Sequence, residues 1–402
     1  MRNMYYEKIF SNLTFSTCLI ISIISFSSLI FPILLVEITN SQYNKEINIF
    51  EMGGWAIPII ISNIIFLGVY FLYSKKKLPT IIEKLIDYIS RNDLSRRNSV
   101  IILAILFSIY IIFSIDEFQY EEFELGDYVA VEKAIREYDI DSTKIISNQI
   151  RNFLLYSSHV VFDNLRIIPF FASISLLFTT YFLTLEITKK RFAGIISFSV
   201  LLQSNLFLLF DTTSTYANFW TLFYLLSIYL IFKKPVGSHV LFIFSLMSKA
   251  IIITLLPINL FTIKISKTSK RNKIFLLLGY IVLILFLLIG LVTNNIPHSE
   301  KLDFDADRLI PNMNEFGNSL RYDGLILVLF FPILLILRNR SKFNRDKINF
   351  IFIAISFAII SQPVMNMMIG MTLQPYRFIP VIVFFAIAVG MIFSNFNKVD
   401  QQ

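Results

Sequence analysis

The feature that most constrains this chain is the way its apolar residues are strung together. Runs such as LTFSTCLIISIISFSSLIFPILLV, VIILAILFSIYIIFS and FIPVIVFFAIAVGMIF recur along its length, separated by short polar connections. A spanning helix needs about 17–25 mostly apolar residues. Candidate spans fall at about 14–36, 55–73, 99–115, 166–187, 192–210, 218–232, 274–293, 322–337, 348–365 and 377–394. The fold class that follows is all-α, a polytopic integral membrane protein with about 10–12 transmembrane helices. Composition agrees, since only 16% of the 402 residues are charged, whereas soluble domains carry about a quarter.

The formal net charge of +8 would suit nucleic acid in a soluble protein. Here the basic residues sit in short clusters between apolar runs, which in a membrane protein sets orientation. No nucleic-acid partner is expected; membrane lipid is. The single cysteine, Cys18, lies inside the first apolar run, so an intramolecular disulfide or a cysteine-rich metal site is excluded. The opening MRNMYYEKIFSNLTF has few positive charges and no small-residue cleavage site, and reads as an uncleaved first span.

Sorting Lys and Arg by connection gives two faces. The N-terminus, 74–98, 188–191, 233–238, 264–273, 338–347 and the C-terminus hold most of the basic residues and are assigned to the cytoplasm. The connections 37–54, 116–165, 211–217, 294–321 and 366–376 are acidic or neutral. One segment breaks the alternation. HVLFIFSLMSKAIIITLLPINLFTI, residues 239–263, has basic connections on both sides. Its residues make only about 37 Å of helix, too short to cross twice. The consistent solution is a short re-entrant or half-helix pair with Lys249 near the turn, facing a cavity. The alternative is one tilted helix with Lys249 snorkelling to an interface.

In the longest outer connection, GDYVAVEKAIREY places Val131, Ala134, Ile135 and Tyr138 on one stripe. That predicts an outer-face amphipathic helix. Residues 1–98 read as an N-terminal two-helix membrane unit with a basic cytoplasmic connection, and 99–402 as the transmembrane core.

Four features carry potential chemistry. Asp116 and Glu117 follow the third span without a spacer, and a carboxylate held at a helix end can accept a proton from a hydroxyl. Asp211 ends another run in a short outer connection, where it suits a polar acceptor, a divalent ion such as Mg or Mn, or a helix cap. Lys249 lies in the broken segment. Tyr376 and Arg377 open the last span, and Arg suits phosphate. Aspartates 303, 305 and 307 alternate but lack the glycine and glutamate of a calcium loop, and read as a solvated loop. Carboxylates and cations converging on one face fit an enzyme that uses a lipid phosphate. They also fit a transporter of an anionic solute.

These residues resemble those of the C-type membrane glycosyltransferases, the group of the protein O-mannosyltransferases and the aminoarabinose transferases of lipid A. DEFQY after a span is similar to the family's acidic first-loop motif. LRIIPFFASISLLFTTYFLTLEITKKRF resembles its Arg-led second core span and basic turn, SLMSKAIIITLLP its TK segment, and PYRFIPVIVFF its closing RY-x-x-P span. The resemblance covers 99–394. The chain departs from the pattern in its two preceding spans, in SSHVVFD where the family often has His-Pro-Pro, and in Phe378 at the position of a tyrosine.

The resemblance implies transfer of a sugar from a polyprenyl-phosphate donor to an acceptor glycan, lipid or protein hydroxyl, with inversion at the sugar carbon. Asp116 would be the base and Glu117 its assistant, Asp211 would serve acceptor or metal, and Lys249, Arg377 and Tyr376 would hold the donor phosphate. A flippase of a lipid-linked saccharide and an inactive relative are the alternatives. The expected location is a prokaryotic cell membrane with the site facing outward.

Overall fold

Apolar runs that close their own backbone hydrogen bonds have one economical form, the helix, and the described runs adopt it. The computed structural model describes residues 2–34, 51–119, 128–137, 148–292, 303–341, 344–370 and 374–394, and among these there are helices and no strand. In chain order the α-helices are α1 (Arg2–Ile30), α2 (Ala56–Ser74), α3 (Thr80–Arg91), α4 (Arg96–Ser114), α5 (Tyr128–Arg136), α6 (Gln149–Phe162), α7 (Ile167–Thr188), α8 (Arg191–Leu202) and α9 (Asn205–Leu209). They continue as α10 (Phe219–Lys233), α11 (Ser238–Ser248), α12 (Leu256–Ile265), α13 (Lys270–Val292), α14 (Leu309–Ser319), α15 (Gly324–Arg340), α16 (Arg345–Ile369) and α17 (Ile379–Ile392).

Among the described residues, six stretches are long and apolar enough to cross a membrane: Tyr6–Ile30, Ala56–Ser74, Arg96–Phe118, Ile167–Thr188, Arg345–Ile369 and Pro375–Ile392. Residues 306–319 and 324–340, bent by 118° at their break, count as a seventh if taken as one span. The expected run at 192–210 divides at Ser204, whose hydroxyl accepts the Phe207 amide and caps α9. The expected run at 322–337 appears as α15, turned sharply from α14.

The segment around Lys249 divides as its flanking charges require. Lys249 is extended (φ −162°) between α11 and a 3-10 turn, Ala250–Leu255. Hydrogen bonds fix the direction of the two halves. On the way in, Ser238 donates to the carbonyl of Ser227 (3.0 Å) and Ser245 to that of Trp220 (2.6 Å). On the way out, the Leu255 carbonyl accepts from Tyr224 (3.0 Å) and Asn259 donates to the Ser227 hydroxyl (3.0 Å). Both ends therefore lie beside Ser227, and Lys249 is the apex of a hairpin.

Packing is uneven across the bundle. The stretches containing α16 and α17 are 78% and 89% buried within the protein, whereas those of α2 and α4 are 11% and 17% buried. Gly390 of α17 permits a close approach to α8, because a Cβ there would lie 2.5 Å from the Ala193 carbonyl oxygen. Small residues of this kind bring helix backbones together in membranes. Helix α1 joins the same core. Thr14 donates to Asn349 (3.2 Å), Ser28 to the Asn314 carbonyl, and Phe26 packs among Phe316, Phe330 and Phe331.

One end of the bundle gathers the basic connections. Lys190 donates to the carbonyls of Phe393 (3.2 Å) and Ile89 (3.4 Å), and Arg340 to that of Ile392. Cations at a helix C-terminus complement its dipole. Arg191 pairs with Asp93 (3.5 Å), and Glu186 binds both Lys189 and Lys233. At the opposite end the 211–217 connection meets the Ile115–Gln119 turn through Thr212 and Glu117, and the turn before α17 through Tyr216 and Tyr376; the candidate site lies there.

Candidate functional site

Helix α4 runs out at Ser114 into a 3-10 turn, Ile115–Gln119, that holds both acidic residues of its motif. Adjacent carboxylates on so tight a turn point in different directions, and the surroundings separate them. Asp116 is exposed, while Glu117 is half-buried. The Glu117 carboxylate accepts from the Thr212 hydroxyl, and its backbone carbonyl accepts from the Arg166 guanidinium.

Asp211 meets this turn from the short connection between α9 and α10. It is 1% exposed. Its Oδ2 accepts from Ser114 (3.1 Å), and its backbone carbonyl accepts from Ser173 (2.7 Å), which in turn accepts from Asn218 (3.0 Å). Burial, and then the neighbouring Glu117 charge, push its carboxyl up to about 7. The Tyr110 hydroxyl is close to this carboxylate. Asp211 Oδ1 and that phenol each lack a hydrogen-bond partner of good geometry. Glu117 and Asp211 thus form a carboxylate pair, surrounded by hydroxyls.

A second cluster lies against Tyr216 of the same connection. Tyr376, in the 3-10 turn Pro375–Phe378 ahead of α17, is buried, with its hydroxyl between two cations. Lys249 donates to it from the hairpin apex, and Arg377 Nε donates to it at 3.2 Å. The Lys249 ammonium also stands 4.9 Å from the Tyr376 ring centre. Tyr216 stacks on the other side of the site, its ring 4.3 Å from that of Tyr376 and 18° from parallel. Phe210 meets Tyr376 edge-on at 5.9 Å.

These groups open into a cavity of about 300 Å³, lined by Lys249, Tyr376, Arg377, Arg151, Thr215, Tyr216, Gln374 and the Ala130, Val131 and Ala134 side of α5. Three cations reach it, from the first turn of α6, from the hairpin apex and from the turn before α17. Among the described residues no carboxylate side chain lines it. Such a lining suits an anion with several oxygen atoms. The amphipathic stripe of α5 is borne out at Val131 and Ile135, which are buried, while Ala134 is exposed. Tyr138 lies outside the described residues, as do Glu121, Glu122, Glu124 and Asp127.

The structure therefore brings Lys249, Tyr376 and Arg377 together, and Glu117 with Asp211. Asp116 lines neither cluster. Arg151 and Tyr216 belong to the cavity, yet sequence reasoning passed over both. A basic residue in QIRNFLLYSSHVV, opening an apolar helix at the far end of an outer connection, was the available signal. The aspartates of 303–307 are tied down by Arg308, which pairs with Asp303 (3.0 Å) and Asp305 (2.9 Å). His239 bonds the Leu276 carbonyl and His159 faces Asp163; His298 lies outside the described residues.

Among the described residues no group of three or more His, Cys, Asp or Glu side chains gathers to hold a metal. Glu117 and Asp211, with the orphaned Oδ1 of Asp211, are the oxygen donors that would take a hard divalent cation. Comparison of the chain with known protein families, curated proteins and solved structures finds no match in any of the three.

Proposed function

We propose that the protein is a membrane glycosyltransferase that moves a sugar from a polyprenyl-phosphate donor to an acceptor hydroxyl. The observation that carries this reading is the cavity in which Lys249, Arg377 and Arg151 converge around Tyr376, linked through the 211–217 connection to the carboxylate-bearing turn by Tyr216 at Tyr376 and Thr212 at Glu117. The donor phosphate sits among the cations, and the polyprenyl chain lies along the apolar helices. The acceptor oxygen attacks the anomeric carbon as its proton passes to a carboxylate of the Ile115–Gln119 turn. Asp116 is the exposed member of that turn and is assigned as base; Glu117 and Asp211 hold the turn against the 211–217 connection. The bond from the sugar carbon to the phosphate oxygen breaks, and the polyprenyl phosphate leaves with one more negative charge. Fixed cations stabilise that growing charge more than the starting ester, which is the condition for catalysis. One displacement inverts the sugar carbon.

In the same reading the basic end faces the cytoplasm and the site faces outward in a prokaryotic cell membrane. The Lys249 hairpin is re-entrant from the cytoplasmic side, α5 covers the cavity at the outer surface, and the chain crosses about 10–12 times if shorter helices are counted. A divalent cation, where one serves, is held by Glu117 and Asp211. The acceptor is a glycan, lipid or protein.

The test is donor turnover by purified protein in lipid, over a panel of polyprenyl-phosphate sugars. Lys249→Ala is expected to lower turnover by about 10²–10³-fold, and Asp116→Asn by about 10²–10⁴-fold. Turnover that survives Asp116→Asn but not Glu117→Gln moves the base by one residue. Turnover indifferent to Lys249→Ala overturns the donor site. Passage of intact donor across the bilayer without transfer makes the cavity a transport site instead.

A further inference from the structure

The connection between α2 and α4 does more than join them. Helix α2 ends at Ser74, Lys75 to Lys77 follow, and Pro79 leads into α3, whose end at Arg91 is followed by Arg96 and Arg97 at the start of α4. Both α2 and α4 are of membrane-crossing length and belong to the two least buried of those six stretches. The short helix between them therefore sits where two spans leave the bilayer, at the basic end.

Its sequence, TIIEKLIDYISR, is two-sided. Ile81, Ile82, Leu85, Ile86 and Ile89 recur at helical spacing, with Glu83, Lys84, Asp87 and Arg91 between them. Ile81 is 83% exposed and Tyr88 67% exposed. Lys190 ties its far end to the bundle, donating to the Ile89 carbonyl at 3.4 Å. Lys75, Lys76, Lys77, Lys84, Arg96 and Arg97 are all exposed. Exposed isoleucines on a helix flanked by exposed cations, at the mouth of two lipid-facing spans, match the chemistry of a surface that is apolar below and anionic above.

We propose that α3 is an interfacial helix that binds the anionic phospholipid headgroups of the leaflet at the basic end. Ile81 and Ile82 enter the acyl boundary, and the lysines of 75–77 and 84 meet the phosphates. Because α4 starts a few residues later and runs to the acidic turn, this anchor also sets the depth of that helix. The inference does not depend on the proposed transferase activity.

The test is hydrogen exchange of the 80–91 backbone amides in the whole protein, in nanodiscs of phosphatidylcholine with or without phosphatidylglycerol. Each cation near a charged surface is worth about fivefold in the bound-to-free ratio. The wild type should exchange on the order of a hundredfold more slowly with phosphatidylglycerol. The variant carrying Lys75→Gln, Lys77→Gln and Lys84→Gln should lose that difference while keeping its protection in phosphatidylcholine. Equal protection in the two lipids overturns the proposal. Protection that follows protein concentration rather than lipid charge overturns it in favour of contact between copies of the chain.

Discussion

At the basic end of the bundle Glu186 sits between Lys189 and Lys233, Arg191 faces Asp93, and Lys190 and Arg340 cap the last turn of α17. At the other end Lys249, Arg377 and Arg151 reach one cavity, and Glu117 stands against Asp211. Both ends are rich in charge, but the first joins opposites, whereas at the second the described lining of the cavity brings three cations to one space. Opposites in contact need no further explanation, since each partner lowers the cost of the other. Like charges held close together raise the energy of the folded chain, and such arrangements cluster at functional sites. On the proposed reading, the contrast separates a structural use of charge from a functional one.

The sharpest way to break the contrast is to remove one lysine from each end. Lys249→Ala should cost two to three orders of magnitude in donor turnover, about 3–4 kcal/mol of transition-state stabilisation, with little change in thermal midpoint. Lys190→Ala should do the reverse. Its ammonium serves two backbone carbonyls in a buried setting, so its loss should cost about 1.5–3 kcal/mol of stability and leave turnover within a fewfold of wild type. Equal effects of the two on turnover would erase the distinction. Within the site, Arg377→Lys keeps the charge but loses the planar fork. Turnover should fall by about tenfold, through KM more than kcat; a full loss would mean that the guanidinium shape matters to the reacting atoms themselves.

The two ends were not equally legible in the sequence. Long apolar runs and clustered lysines report directly on helices and on the basic end, because length and charge are properties of a segment. The hairpin at Lys249 was legible for the same reason: basic connections on both sides of a segment too short to cross twice leave few foldings open. The choice between Asp116 and Glu117 was not. Neighbours on a 3-10 turn differ by roughly 120° in direction, and which one faces Thr212 depends on where α4 ends. Arg151 and Tyr216 needed tertiary knowledge too, since nothing local says that α6 and the 211–217 connection meet the turn before α17. Span counting lost accuracy where the chain breaks within an apolar run, at Ser204 and between α14 and α15, because hydropathy averages over such breaks.

A smaller effect should sharpen the acidic half of the contrast through pH. The Asp211 carboxyl is pushed up from an ordinary 3.8 to about 7. The folded chain therefore holds a proton there that the unfolded chain has released, and between these values stability falls as pH rises. The thermal midpoint of the wild type should drop by a few degrees from pH 4 to pH 7 and level off above. Asp211→Asn, which keeps the acceptor oxygen for Ser114 and cannot ionise, should flatten that slope. A slope unchanged in the variant would assign it to another group and would make the Glu117–Asp211 contact an ordinary screened one.

The smallest change is expected from the most conspicuous ion pair. Glu186 binds two lysines, and an inventory of contacts would rank it above Ser114 or Tyr216. Yet Lys189 and Lys233 are 51% and 48% exposed, so solvent screens both bonds, and each long side chain loses rotamer freedom in making them. Glu186→Gln keeps a hydrogen-bond acceptor for either lysine and should lower stability by no more than about 1 kcal/mol, an effect that fades further at high salt. Turnover should not move at all. Should Glu186→Gln instead impair turnover as strongly as a change at Lys249, opposite charges at the basic end would be coupled to the cavity across the bundle, and the division of labour between the two ends would fail at its quietest point.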